Sequence, residues 1–365
     1  MRLRWLCVDN HLVPDLKTAI LCSGVALGVY IPGLYIHRDL KSIGKVSEVF
    51  VLETLLTVEK QSRIKDHKKA FHEHFRVALA GQKIPVDICQ SIDQDKLAAL
   101  YRYWNVNGYD YFILLSGFWL PLVEQYKKSI PSIKIECLHI DSTVSPSWKN
   151  VGLDDQFHSW LLKEDEGRVI CQLDIAKMPV IPFVHRNDAL LLHGGGWGMG
   201  TYQTKIPALL NTSYHLNIVA YYESDMSVYS DQVTYLRILP NWEPWHTNVA
   251  GKYGFPKIGN DLLTENPNYP GLFNITRSVK AVVSKPGGST LHDSLESATP
   301  VVFLEGFGMH EEKNAKLWQH LGFGISFSKW EQTGFDVRVL NELHDNLIDV
   351  QGSYPKYMDG LMERI

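Results

Sequence analysis

One run of residues restricts the fold more than any other. Val282-Val283 is a short apolar stretch, Ser284-Lys285-Pro286-Gly287-Gly288 turns, and Ser289-Thr290-Leu291-His292-Asp293 opens a helical pattern. A buried strand passing through a glycine turn into a helix is the repeating unit of a parallel sheet with helices on its faces. The same alternation recurs along the chain. Strands are predicted over 3–8, 28–35, 109–115 and 133–140, then over 189–193, 216–222, 232–239, 281–284 and 300–304. Helices are predicted over 14–23, 50–75 and 96–104, then over 206–210, 290–298, 312–321 and from 338 onward.

Between residues 174 and 188 the alternation lapses around Pro179 and Pro182, which resist helix and inner strand. At 365 residues the chain is too long for one ordinary core. The expected class is α/β: two Rossmann-like, doubly wound domains facing each other across a cleft. Their expected bounds are 1–178, a linker at 179–187, 188–345, and a C-terminal helix at 346–365 that packs back on the first domain. Hydrophobic residues at 45%, charged residues at 21% and a formal charge of −4 exclude disorder and a phosphate-backbone binder, so no nucleic-acid partner is expected.

Residues 19–36 form an eighteen-residue stretch without a charge, but Gly24, Gly28, Pro32 and Gly33 interrupt it. A helix end, a turn and a buried strand fit those breaks better than a membrane span. The apolar run after Arg4 stops at Asp9, too short for a signal peptide. Five scattered cysteines without a Cys-x-x-Cys pair suit reduced thiols in a cytoplasmic protein, which leaves the sequons at Asn211 and Asn274 without meaning.

The helix start at Gly287, Gly288, Ser289 and Thr290 is an anion site by construction, with Lys285 adding a point charge and Asp293 within reach of a ribose diol. The bland alternative is a well-capped strand–turn–helix connection. A second polar cluster, His310, Glu311, Glu312 and Asn314, follows the strand at 300–304 on the same rim, where it can bond sugar hydroxyls. Together these residues resemble the donor half of GT-B glycosyltransferases. The likeness is to the MurG-like lipid-linked N-acetylglucosaminyltransferases, the diacylglycerol galactosyltransferases and the UDP-glycosyltransferases. Asp293 stands where the family has a ribose-binding Glu, Lys285 where plant members have His, and His310-Glu311 where an Asp-Gln pair contacts the donor sugar. Gly195-Gly196-Trp197-Gly198 looks like the glycine loop that faces the donor phosphates. Its GxGxG spacing departs from a dinucleotide fingerprint, and glycines permitting tight packing are the alternative.

In the first domain, His11-Leu12-Val13-Pro14 resembles the His-x-x-Pro turn of the same enzymes, which implies a general base; a turn histidine bonded to backbone is the alternative. Ser116, Phe118, Trp119 and His139 are candidate acceptor walls, and Asp141 is a group able to orient a histidine. Two decoys lie nearby: Asp93-Gln94-Asp95 reads as a helix cap rather than a metal-binding DxD, and 164–166 as a solvated acidic loop.

The resemblance implies transfer of a sugar from a nucleotide-diphosphate donor, a UDP-sugar first, to an acceptor hydroxyl with inversion. No metal site and no cofactor besides the nucleotide-sugar co-substrate are expected. The acceptor is a small molecule or a lipid. Lys68-Lys69 with Phe71, and Lys127-Lys128, are candidates for peripheral membrane contact. A hydrolase or epimerase of the same fold, and a non-catalytic nucleotide-sugar binding subunit, are the rival readings.

Overall fold

A strand buried on both faces must be apolar along its length, and the central strand of the first sheet is Thr18-Ala19-Ile20-Leu21-Cys22, without exposed residues. The computed structural model describes residues 16–82, 88–149, 152, 157–239, 242–248, 250–259 and 266–365. Its first sheet contains β1 (Lys17–Cys22), β2 (Ser47–Val51), β3 (Tyr109–Leu114), β4 (Lys134–His139) and β5 (Phe157–Trp160) in the order β2-β1-β3-β4-β5, all parallel. Its helices are α1 (Leu27–Ser42), α2 (Val58–Glu73), α3 (Phe75–Gly81), α4 (Gln94–Asn107) and α5 (Leu120–Lys127). Asp93 caps α4, accepting from the N–H groups of Asp95 and Lys96 at 3.1 and 3.2 Å, as the decoy reading requires.

A small hairpin, β6 (Leu162–Lys163) with β7 (Arg168–Val169), leads to the irregular segment that joins the halves. The second sheet contains β8 (Asn187–His193), β9 (His215–Ala220), β10 (Val233–Ile238), β11 (Ile258–Gly259), β12 (Val279–Ser284), β13 (Val301–Phe303) and β14 (Gly324–Ser326). Its order is β11-β10-β9-β8-β12-β13-β14, parallel except for β11 against β10. The accompanying helices are α6 (Ile206–Leu209), α7 (Leu272–Thr276), α8 (Gly288–Ser297), α9 (Met309–His320), α10 (Phe327–Gln332), α11 (Val337–Asp349) and α12 (Tyr357–Met362).

The start of the chain corrects the sequence reading twice. The strand predicted over 3–8 lies outside the described residues. The predicted helix over 14–23 is strand β1 from Lys17, and the predicted strand over 28–35 is helix α1. The physical reason is burial. A helix with one solvent face shows a 3.6-residue period, whereas α1 is covered on several sides and reads as apolar throughout. Gly33 lies against Ile20 and Cys22 of β1, where a Cβ would meet them at 3.4 and 3.5 Å. On another side Tyr35 packs on Phe255, and the Tyr30 hydroxyl donates to the Gly254 carbonyl at 2.8 Å. Pro32 lies inside the helix and leaves the carbonyl of Gly28 without its usual partner. Helix α1 is therefore a wedge between the two halves. Among the described residues no helix is long and apolar enough to cross a membrane.

The acidic stretch at 164–166 is only partly solvated. Glu164 accepts from Lys316 of α9 at 2.5 Å and joins the halves, while Glu166 pairs locally with Lys163 and Arg168. The C-terminal segment returns to the first sheet. Tyr357 and Arg364 donate to the buried Glu136 carboxylate at 3.0 and 2.9 Å, and Tyr111 donates to it from β3. Removing the cation from such a pair strands a buried charge. Arg364→Met is expected to cost roughly 3 kcal/mol in urea unfolding, and Glu136→Gln in the same chain to restore part of it.

Candidate functional site

In each sheet the strand order reverses beside the first central strand, β1 in one and β8 in the other, and doubly wound sheets bind ligands beyond strand ends at such points. The loops after β1 and β8 face each other across a cavity of ≈ 410 Å³ lined by both halves. The loop after β1 is Ser23-Gly24-Val25-Ala26, shaped by the buried carboxylate of Glu53. Glu53 accepts from the Ser23 hydroxyl at 2.6 Å, from Gly24 N–H at 2.7 Å and from Val25 N–H at 3.1 Å. Burial raises its pKa above the ordinary carboxylate value, against the pull of those three donors.

Helix α8 supplies the opposite wall. Gly287 is its N-cap, and no side chain caps it. The first turn, Gly288-Ser289-Thr290, lines the cavity and carries N–H groups that have no partner within the helix. Gly288 has a specific reason to be glycine: a Cβ there would lie 2.8 Å from Asp141 Oδ1, which reaches across from the first half. Lys285 also lines the cavity, paired with Glu311, whose other oxygen accepts from Phe307 N–H at 2.6 Å.

Asn314 ties these loops together. Its Oδ1 accepts from Ser142 N–H at 2.8 Å, and its amide nitrogen donates to Asp141 Oδ1 at 2.8 Å and to the Pro286 carbonyl at 3.0 Å. His292 of α8 reinforces the junction with a 3.2 Å bond to the Ile140 carbonyl. The loop after β4 and the loop after β12 are thus held together by one buried amide.

Solved structures of similar fold match almost the whole chain. MurG of Acinetobacter baumannii matches 96% of this chain and 99% of its own, at 14% identity and a TM-score of 0.51. Spinosyn rhamnosyltransferase SpnG matches 96% and 100% at 10% identity and a TM-score of 0.56. Glycosyltransferase VinC in complex with DTDP matches 95% and 98%, again at 10% and 0.56. The chain has the GT-B fold. No protein-family model matches the sequence, and neither does any curated protein.

Within this GT-B cleft the residues singled out from sequence divide. Gly195, Gly196, Trp197, Lys285, Gly287, Gly288, Ser289, Thr290, Asp293, His310 and Glu311 line the cavity, as do Ser116, Phe118 and Asp141. His11 lies outside the described residues; the loop after β1 carries no histidine, and the Asp141 carboxylate is bonded by Asn314. Asn314 is fully buried with its amide engaged at both ends, so it clamps the loops rather than facing a ligand. Glu312 is exposed, and Gly198 packs where a Cβ would strike His72 and Tyr221 at 2.5 Å. Trp119 belongs to the core, its indole N–H donating to the Cys22 carbonyl at 2.8 Å. His139 is also core: it stacks on Trp160 at 3.9 Å, bonds His158 at 2.8 Å, and burial pushes it down to about 3. Phe71, expected in a membrane patch, lines the cavity and packs against Trp197.

Sequence reasoning missed Glu53, His193 and Tyr221. His193 ends an apolar run just before the glycines, a signal that was available. Glu53 shapes a loop thirty residues away and leaves no local trace.

Asp293 carries an unusual proton. Burial, helped by Glu296, pushes its carboxyl from an ordinary 3.8 up to about 8. Between those values the folded chain keeps a proton that the unfolded chain has released, so stability falls as pH rises from about 4 to about 8 and is level above. Asp293→Asn is expected to melt like the parent near pH 4 and to gain on the order of 5 kcal/mol by pH 8, read by thermal denaturation across that range.

Proposed function

We propose that this protein is a glycosyltransferase that moves a sugar from a nucleotide-diphosphate donor, a UDP-sugar first, to an acceptor hydroxyl. One observation carries the reading. The uncapped start of α8, with Lys285 beside it, faces Asp141, which among the described residues is the only ionisable side chain that the first half contributes to the cavity. The rest of that wall is largely apolar, with Val25, Leu27, Val29 and Phe118, and it suits a hydrophobic acceptor while disfavouring water as a competitor. Similar solved structures support the two-substrate reading, since SpnG is complexed with thymidine diphosphate in one and with spinosyn aglycone in another.

In the proposed reaction the diphosphate sits on the N–H groups of α8, and Asp293 accepts from the ribose diol. The acceptor oxygen gives its proton to the Asp141 carboxylate as it attacks the anomeric carbon. The bond from that carbon to the diphosphate oxygen breaks, and the diphosphate leaves with the bonding electrons. Attack opposite the leaving group inverts the centre. Charge on the departing diphosphate is met by the helix dipole, backbone donors and Lys285, so no metal is required by the scheme. Asp141 is the proposed base because it lines the cavity, whereas His11 lies outside the described residues.

Calorimetric titration with UDP, TDP, GDP and ADP, with and without Mg²⁺, tests the donor site. One nucleotide is expected to bind without metal, and Asp293→Ala to abolish that binding; a folded protein that binds none refutes the reading. Asp141→Asn, which preserves the contact with Asn314, is expected to lower turnover by about 10²–10⁴-fold while donor affinity is kept. A protein that binds the nucleotide sugar yet releases it to neither acceptor nor water is a binding subunit instead.

A further inference from the structure

His193 ends β8 at the reversal point of the second sheet and stands in the cavity wall with Gly195 and Lys285. Its Nδ1 has a fixed task. The backbone N–H of Gly195 donates to it at 3.1 Å, and the Ser284 hydroxyl lies 3.3 Å from the same atom. A ring nitrogen that accepts from a backbone N–H carries no proton of its own, so the hydrogen is on Nε2. Burial and the charge of Lys285 push the imidazole down to about 4, which keeps the ring neutral at physiological pH.

Three other histidines with buried rings differ. In His72, His139 and His292 the second nitrogen is sealed in the interior without a partner. His193 Nε2 is not among those sealed atoms, and the ring forms part of the cavity surface. The protein therefore presents an oriented, uncharged N–H donor beside Lys285, whose own charge is already balanced by Glu311.

We infer that His193 binds the diphosphate: its Nε2–H donates to a phosphoryl oxygen held between the first turn of α8 and Lys285. This inference rests on the nucleotide-sugar reading of the cavity. The donor is preset by the backbone, so it needs no reorientation as charge grows on the leaving diphosphate. A fixed cation would hold the product diphosphate more tightly, whereas a neutral donor stabilises it without adding charge.

The test compares affinities in His193→Asn and His193→Gln. The Asn amide reaches the Nδ1 position and can accept from Gly195, keeping the loop while removing the Nε2 donor. The longer Gln amide places an N–H near Nε2. Calorimetry with UDP and TDP, each beside its nucleoside, is expected to show His193→Asn weakening the diphosphate by about 10- to 100-fold with the nucleoside unchanged, and Gln recovering most of the loss. In the unsubstituted protein, the Nε2–H resonance of His193 is expected to shift on addition of UDP or TDP and to stay put with the nucleoside. Unaltered diphosphate affinity in His193→Asn, equal loss of nucleoside and diphosphate, or a silent Nε2–H resonance overturns the assignment alone. Wild-type protein that binds neither nucleoside diphosphate overturns the cavity reading with it.

Discussion

The geometry of the cleft hangs on the side chain of Asn314. An amide without solvent contact that spends both its ends on three loop atoms leaves each of them unsatisfied if it is removed, and buried unsatisfied groups cost more than a hydrogen bond contributes. Because those atoms belong to the loop after β4 and the loop before α8, one side chain sets the Asp141 carboxylate against the start of α8. Gly288 makes the approach sterically possible, since any Cβ would collide with Asp141. The wedge helix α1 completes the junction by offering one face to β1 and another to residues 253–255.

Within the cavity, charge is kept in balance. Lys285 is paired with Glu311, Asp293 holds its proton into the neutral range, and His193 is neutral by burial. In a cavity screened from water, an unpaired charge would carry a heavy desolvation cost, so these groups stay paired or neutral until a ligand brings its own charge and hydroxyls. Among the described residues the first half adds apolar side chains, several serines and a single carboxylate. The helix start with Lys285 on one side, and Val25, Leu27 and Val29 on the other, are what a diphosphate and an apolar acceptor would exploit.

The two halves of the chain were not equally legible. In the second half the strand, turn and helix of each unit are adjacent in sequence, and the predicted segments at 189–193, 281–284 and 290–298 coincide with β8, β12 and α8 to within two residues at each end. In the first half, α1 defeated the period argument because its neighbours are remote in sequence and cover it on several sides. Trp119 and His139 were misjudged for a related reason. A polar aromatic at the end of a strand can face a cleft or be roofed over, and only Trp148 and Trp160, packed on His139, and the carbonyl of Cys22, which receives the Trp119 indole, decide which.

The sequence by itself determined the α/β class, the two-sheet division and the glycine turn into a helix at 285–290, because backbone geometry, glycine freedom and apolar runs act over a few residues. Tertiary structure decided which polar residues reach the cavity and in what state of charge. Asn314 became a clamp, Glu53 a loop support and His193 a fixed tautomer through partners 2 to 173 positions away. Burial and electrostatic environment are properties of the assembled fold, so the protonation of Asp293 and of His193 has no local signature that a sequence can show.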